Sequence, residues 1–561
     1  MRVVPVGDLA FAIDVPAGSA EETTARVRAI AAAVAAAAIP GVVDVVPSPQ
    51  RVTVAYDPLR ITGVDALREA LAATTTGAED ATAPPRRHEI PVWYGGAEGP
   101  DFDEVCSLHG INRERLIAMH TAAEYLVQAI GFMPGFAYLG GLDPHLATPR
   151  RATPRMAVPA GSVGIGGSQT GVYPFTSPGG WNIIGRSPVR LFDPQRSDAA
   201  LLAVGDRVRF VEAEAAVVAA AGDDRAAVSR PETMGEPAIS VIKPGLYSTI
   251  QDLGRPGHRA GGVPLSGAAD ADALRIANLL VGNPEAAAGI EFTLLGPELR
   301  FDRDAIVALG GGDFPGLPSW RPLRIAAGTV LTLGHAVRGC RGVLAVAGGV
   351  TVEPTLGSRS TFPPARWGGL VGLPLAAGDR LSVGFVDHPV EPASALDLRG
   401  VAEHATADIS TGPVVLRLIP GEHAEGLGEA IWSATLRVSS RSDRMGMRLE
   451  AAPLRPAGTA TAAMASIAVF PGTVQVPPDG NPIVLLADAQ TIGGYPVVGQ
   501  VIAADLPRAA QLRPGDTVRW QKTSLDEAHA ALREREARIA TVRESLAGRR
   551  GQAANEPLGR A

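Results

Sequence analysis

Cysteine is nearly absent: Cys106 and Cys340 are the only two in 561 residues. Two thiols exclude a disulfide framework and a CxxC metal site, and they fit a reducing cytoplasm. Lysine is equally scarce, for of 51 lysines and arginines only Lys243 and Lys522 are lysine. No Gly-Lys-Ser/Thr occurs, which rules out a Walker-type phosphate loop. Nor is there an obvious Schiff-base or biotinyl-lysine site, so arginine has to supply the charge for any anionic ligand. Aromatic residues make up 5% of the chain, against 65 glycines and 47 prolines. That balance favours turn-rich β-structure over long helical bundles. No apolar run reaches the ~20 residues of a bilayer span. The longest, residues 29–43, is bounded by Arg28 and broken by Pro40. The first fifteen residues meet Asp8 too early for a signal peptide and alternate like a strand, so a cytoplasmic protein without membrane contact is expected. A net charge of −7 and a pI near 5.9 argue against a nucleic-acid partner.

The pattern along the chain predicts an α+β, mostly β protein. Residues 1–84 read as strand–helix–strand–strand–helix, with helices over about 20–39 and 64–73, an order that suggests a ferredoxin-like sandwich. Polar stretches over 74–87 and 222–237 read as linkers. Residues 103–130 look helical, and Gly/Pro-punctuated strands follow to about 218. A second β-rich region runs over 238–522, interrupted by a helix near 270–280. Residues 524–561 open as a charged helix and end in a disordered tail. A weak repeat supports this division: LLAVGDRVRF at 201–210, PLAAGDRLSV at 374–383 and QLRPGDTVRW at 511–520 each place Gly-Asp, a turn signal, before a strand. The expected domains are therefore 1–84, three related barrels over 88–220, 238–390 and 391–522, and the helix with its tail.

Three constellations carry candidate chemistry. In the first, glycines including Gly166 and Gly167 offer backbone N–H groups to an anion. Arg150 and Arg155 are placed to clamp a phosphate or carboxylate, and Gln169, Thr170 and Tyr173 to orient a small amide. His120 and Glu124 lie one helical turn apart, a spacing that favours a surface or capping pair over a metal site. The second constellation gathers Gln251, Asp252 and Arg255 among turn formers, ahead of Ser266 and a helix that Asp270 is positioned to cap. The third holds Arg441, Arg444 and Arg448 with Asp443, Asp479 and Asp488, and then Gln490; arginine for phosphate and aspartate for Mg²⁺ make a nucleotide-handling set.

These strings together resemble a known family. Residues 1–220 resemble the B-type component of 5-oxoprolinase, also known as the first allophanate hydrolase component. The likeness runs through Tyr94-Gly-Gly, Gly131-Phe-Met-Pro-Gly-Phe, Gly166-Gly-Ser-Gln-Thr and Ser177-Pro-Gly-Gly-Trp. Residues 238–522 resemble the C-type component, or second allophanate hydrolase component, through Ile250-Gln-Asp-Leu-Gly-Arg, Ser266-Gly-Ala-Ala-Asp, Asp443-Arg-Met-Gly and Gln475-Val-Pro-Pro-Asp-Gly. Both halves also look like the carboxyltransferase region of urea carboxylase. The resemblance implies a ferredoxin-like domain followed by cyclophilin-like barrels. It also implies ATP-dependent opening of a small cyclic amide, 5-oxoproline to glutamate, with ATP and Mg²⁺. A separate A-type 5-oxoprolinase component is the implied partner, and no biotin is expected on this chain. Two other readings follow from the same likeness: a carboxyltransferase acting on a lactam- or urea-type substrate, and a histidine-kinase inhibitor. A homo-oligomer is compatible with all three.

On this reading His120, Gln169, Asp252 and Asp479 are candidate catalytic residues. Arg150, Arg155, Gly166, Gly167, Thr170, Tyr173, Gln251, Arg255, Arg444 and Gln490 are candidate ligand-binding residues, and the metal ligands are left open. The site is expected in a cleft between the first barrel and the second half. The sequence departs from the family pattern at Ile467, Ala489 and Ile492, where a carboxylate, an arginine and a hydroxyl are usual.

Overall fold

The computed structural model describes residues 1–76, 84–214, 236–385, 412–454 and 466–555, the final helix by backbone alone beyond residue 546. The linkers expected over 74–87 and 222–237 fall largely outside these residues.

The first unit opens with a hairpin of β1 (Arg2–Val6) and β2 (Ala10–Asp14). The alternating run folds back because Gly7 takes a left-handed turn at φ 64°. Then come α1 (Ala20–Ala36), β3 (Val42–Ser48), β4 (Arg51–Tyr56) and α2 (Val64–Thr75). Ser19 and Glu22 close a reciprocal capping box at the start of α1. The antiparallel sheet has the order β1-β2-β4-β3. Its edge strand comes from before α1, so the unit departs from the ferredoxin-like βαββαβ order.

The second unit contains β5 (Arg87–Tyr94), α3 (Phe102–His109), α4 (Arg113–Ala122), β6 (Glu124–Ile130), β7 (Ala137–Gly140), β8 (Ser162–Gly166), β9 (Gln169–Val172), β10 (Asn182–Arg186) and β11 (Arg207–Glu212). The helix expected over 103–130 is two short helices and a strand. Gly110 at φ 63° ends α3, the Asn112 side chain caps α4, and the β-forming Tyr125-Leu-Val run enters the sheet. The seven strands close into a barrel in the order β9-β7-β6-β11-β5-β10-β8.

The third unit holds β12 (Pro237–Lys243), β13 (Ser248–Gln251), α5 (Ala271–Leu280), β14 (Gly289–Thr293), β15 (Glu298–Phe301), β16 (Ala305–Asp313), β17 (Pro322–Ile325), β18 (Val330–Thr332), β19 (Arg338–Val346), β20 (Val350–Thr351) and β21 (Arg380–Val383). Among the described residues it is not the closed barrel the repeat suggested. Two five-stranded sheets, β18-β15-β12-β21-β20 and β13-β14-β19-β16-β17, share a core that includes Phe292, Phe301, Leu309 and Leu344.

A second closed barrel follows from β22 (Val414–Pro420), β23 (Leu436–Val438), β24 (Gly446–Glu450), β25 (Thr473–Gln475), β26 (Ile483–Leu485), β27 (Val497–Val501) and β28 (Thr517–Lys522). Its ring order is β22-β27-β25-β26-β24-β23-β28. Both rings are closed by a parallel pair of first and last strands, β5 with β11 and β22 with β28.

The three Gly-Asp copies are one turn. Gly205, Gly378 and Gly515 sit at φ 90°, 90° and 97°. In each, the aspartate Oδ2 accepts from the backbone N–H three residues earlier: Asp206 from Ala203 at 2.9 Å, Asp379 from Ala376 at 2.7 Å and Asp516 from Arg513 at 2.7 Å.

Helix α6 (Leu525–Asn555) continues well into the stretch read as a tail, and 556–561 lie outside the described residues. It lies on α5 through Arg535–Asp272 at 2.5 Å and Arg275–Glu536 at 2.8 Å. Its His529 Nε2 meets the Asp8 carbonyl at 2.8 Å, and Asp8 Oδ2 accepts from Ala503 N at 2.8 Å. The β1–β2 turn is thereby pinned to the second barrel and to α6. No described helix is long and apolar enough to cross a membrane.

Burial pushes the Asp8 carboxyl up to about 6, against the bond from Ala503, and its Oδ1 is left without a partner. An unfolded aspartate titrates near 3.9. Below about pH 4 both states hold the proton, whereas above pH 6 the native state holds a buried anion, so stability falls as pH rises through that window. Asp8→Asn is therefore expected to raise stability at pH 8 by roughly 2 kcal/mol, at 1.36 kcal/mol per pKa unit. Thermal melts at pH 8 and pH 4 check this; the gain should vanish at pH 4.

Candidate functional site

The first barrel uses most of its polar residues on itself. Asp101, buried at the start of α3, accepts from Arg155 Nη1 and Nη2 at 2.8 and 2.6 Å, from Arg151 at 2.7 Å and from Ile183 N at 2.7 Å. Arg155, expected as a free clamp, is thus already forked onto a carboxylate, which holds its guanidinium above the usual range. The glycines are fixed by packing. A Cβ on Gly166 would stand 2.5 Å from Trp181, and Gly167 N donates to the Thr148 carbonyl at 2.7 Å, so it offers nothing to an anion.

His120 is fully buried inside the barrel. Its Nδ1 meets Tyr94 Oη at 2.7 Å, its Nε2 meets Thr170 Oγ1 at 3.0 Å, and its ring stacks on Phe210. Desolvation lowers its pKa to about 3. It belongs to the interior, and it shares no helical face with Glu124, which opens β6. Thr170 donates its own proton to Gly164 O at 3.0 Å. Tyr173 is buried in an apolar cluster that also takes Phe470 and Ile492 from the second barrel. Gln169 is half-buried on β9. Arg150 is exposed, makes no ion pair among the described residues, and lines an open pocket of about 430 Å³ with Thr148, Arg151 and Asn182.

The expected cleft between the halves is a packed junction. Gly135 N donates to Gly261 O at 2.8 Å, and Asp44 accepts from Gly257 N and Arg259 N at 2.9 and 3.1 Å. Trp367 fills the centre, with its ring 5.0 Å from Phe192 and 5.8 Å from Phe175. Ile492, one of the departures, packs where a Cβ on Gly131 would stand 2.3 Å from it. An apolar side chain there suits a buried contact between halves. Ala489 is likewise buried, and Ile467 pairs with Gly493.

The remaining polar candidates meet in the second half, in a buried seam between the third unit and the second barrel. Asp252 is saturated: it accepts from Gly254 N at 2.8 Å, Ser358 Oγ at 2.6 Å, Ser360 Oγ at 2.5 Å and Arg359 N at 2.6 Å. It therefore ties two loops together and has no free lone pair for a general base. Arg444 lies between Asp488, reached at 2.8 and 3.2 Å, and Glu291, and it also donates to Gly267 O at 2.6 Å. Burial opposes its charge, but Asp488 and Glu291 raise its pKa well above the ordinary value. Asp479 lies apart, in an exposed turn that accepts from Asn481 N at 3.1 Å. Gln490 is half-buried beside Thr491.

Unused capacity is concentrated around Arg255. Its Nε faces Thr355 O at 3.4 Å, its Nη2 donates to Ser360 O, and its Nη1 has no partner. Desolvation lowers its pKa to about 10. Gln251 donates from Nε2 to Thr249 Oγ1 at 3.0 Å and Thr361 O at 3.2 Å, while its Oε1 has no partner. Ser266, held at φ 55° beside the 252–255 turn, and Thr491 each leave a buried hydroxyl unbonded. Unsatisfied buried groups are costly, and several in one region mark a place that a ligand completes. Ser358, Ser360 and Thr361 carried no sequence signal beyond being a hydroxyl run, and neither did Trp367. Among the described residues no group of three or more His, Cys, Asp or Glu is placed to hold a metal ion. The carboxylates of the nucleotide-handling set are committed to Arg444 or to turns, so they do not fit a resident Mg²⁺.

Comparison with known proteins adds to this geometry. Residues 1–202 match the family described as carboxyltransferase domain, subdomain C and D, and residues 261–522 match carboxyltransferase domain, subdomain A and B. A stretch of 309 residues is 38% identical to the C-type component of 5-oxoprolinase from Escherichia coli (strain K12), covering 53% of this chain and 95% of that protein. A stretch of 220 residues is 39% identical to the B-type component of 5-oxoprolinase from Bacillus subtilis (strain 168), covering 37% and 92%. The crystal structure of TTHA0988 superposes with a TM-score of 0.78 at 37% identity, over 91% of this chain and 99% of that one.

Arg444→Met removes the cation shared by Glu291 and Asp488 and leaves two buried carboxylates facing each other. Breaking a buried pair in this way costs about 3–5 kcal/mol. Urea unfolding should show that loss at pH 7, with Arg444→Lys recovering only part of it because lysine lacks the fork.

Proposed function

Since the chain belongs to the carboxyltransferase-domain family of the B-type and C-type 5-oxoprolinase components, joined here in one polypeptide, we propose that it opens a small cyclic amide, 5-oxoproline, at the expense of ATP. A separate protein of the A-type completes the turnover. An amide carbonyl is a poor electrophile, and phosphorylation on oxygen corrects that. The lactam oxygen bonds to the γ-phosphorus as the bond to ADP breaks. Water then adds to the activated carbon, the ring nitrogen takes a proton and leaves as an amine, and a second water releases phosphate.

The observation that supports this reading is the unpartnered Arg255 Nη1 in a buried pocket of hydroxyls and amides. A guanidinium in a dry site stabilises charge that develops on the carbonyl and phosphoryl oxygens. Gln251 Oε1 accepts from an amide N–H, and Ser266 Oγ gives a further hydrogen bond. Any Mg²⁺ arrives with the nucleotide, held by its phosphates.

ADP release by the purified chain should be stimulated by 5-oxoproline in the presence of the A-type partner. Arg255→Met should lower that rate about a hundredfold, the cost of removing one preorganised donor to a developing oxyanion. No stimulation by 5-oxoproline or another lactam, with partner present, would sink the proposal. Capture of the chain by a biotinylated carrier protein would favour carboxyl transfer instead.

A further inference from the structure

The third unit contains a cavity of about 350 Å³ between the edge strands β20 and β21 and the loop 352–371. Ligand sites span roughly 300–1,000 Å³, so this one suits a small molecule. Its walls are apolar, with Val352, Leu370 and Leu381 all largely buried. Its rim is charged: Arg366 and Arg380 stand there with one opposing carboxylate, Glu353. Among the described residues Arg366 makes no ion pair.

The cavity adjoins the unsatisfied cation. Thr355, which accepts from Arg255 Nε, lines it, and so does Gly368, where a Cβ would stand 3.1 Å from Arg255 Nη2. The loop is also strained. Leu356, Arg366 and Val371 hold left-handed φ of 52°, 54° and 54°, three of the eight described non-glycine residues with positive φ. Such strain persists where surrounding packing fixes a shape, and it collects at ligand clamps.

We infer that this cavity holds the ring of a cyclic amino-acid-derived carboxylate, with the ring against the apolar wall and the carboxylate at Arg366. The inference rests on the lactam reading and adds which part of the substrate each wall contacts. An apolar ring wants the dry wall, and an anion wants the unpaired guanidinium. Arg366 is then a specificity residue: it distinguishes the acid from the same ring without its carboxylate.

Calorimetric titration of the full chain tests this with three probes: 5-oxoproline, 2-pyrrolidinone, which lacks the carboxylate, and cyclopentanecarboxylate, which lacks the lactam. The wild type should bind 5-oxoproline about tenfold or more tightly than 2-pyrrolidinone. Arg366→Gln should erase that preference and leave 2-pyrrolidinone binding unchanged. Thr351→Phe, which places a ring in the cavity from β20, should abolish binding of all three while the melting temperature holds. If both variants bind 5-oxoproline like the wild type, the cavity assignment falls, and ADP release stimulated by the lactam would still uphold the activity. If cyclopentanecarboxylate binds as tightly as 5-oxoproline and both variants weaken it, the cavity assignment stands even where no lactam stimulates ADP release. Failure of the wild type to bind either acid overturns the inference.

Discussion

The arrangement turns on one desolvated cation. Arg444 comes from the second barrel, as does Asp488, while Glu291 and the Gly267 carbonyl come from the third unit. Two carboxylates and a carbonyl around one guanidinium satisfy its fork, and each carboxylate gains a cation it could not be buried without. Ala269 N also donates to Glu291 Oε2 at 2.7 Å, so the bridge fixes the 266–269 loop along with the two units. That loop carries Ser266 and leads into the helix capped by Asp270. The unsatisfied groups around Arg255 therefore keep their positions because a neighbouring arginine is fully satisfied.

This contrast between spent and unspent arginines separates scaffold from site. Arg155, Arg444 and Arg535 each fork onto a carboxylate, and their charge is consumed within the fold. Arg255 is buried with no carboxylate in contact and one nitrogen idle. In a chain that relies almost wholly on arginine for cations, burial alone does not mark function; burial without a counter-ion does.

Local signals were legible in the sequence, and distant ones were not. The Gly-Asp repeat could be read because a left-handed glycine and a carboxylate three residues from its donor lie within one turn. The Asp270 cap was legible for the same reason. Glu291 sits 153 positions from Arg444, and Asp101 54 positions from Arg155, so both arginines looked free. His120 and Glu124 were misread as helical neighbours because nothing short-range announces that α4 stops at Ala122 and a strand begins. Two of the three repeat copies lie in closed barrels, whereas the third ends in a strand of an open sheet. The turn is encoded locally, but closure depends on pairing between strands far apart in sequence.

Ring closure by parallel strands has a consequence for how the units are joined. Where the first and last strands of a barrel run antiparallel, the chain leaves from the end at which it entered, and the barrel hangs from its neighbours as a side branch. Here β5 and β11 run the same way, as do β22 and β28. The polypeptide enters each barrel at one mouth and leaves at the other. Each barrel is thus an in-line coupling, and the peptide path runs through the length of the molecule like a thread through beads, which lets two ancestral pieces be joined end to end without either having to turn round.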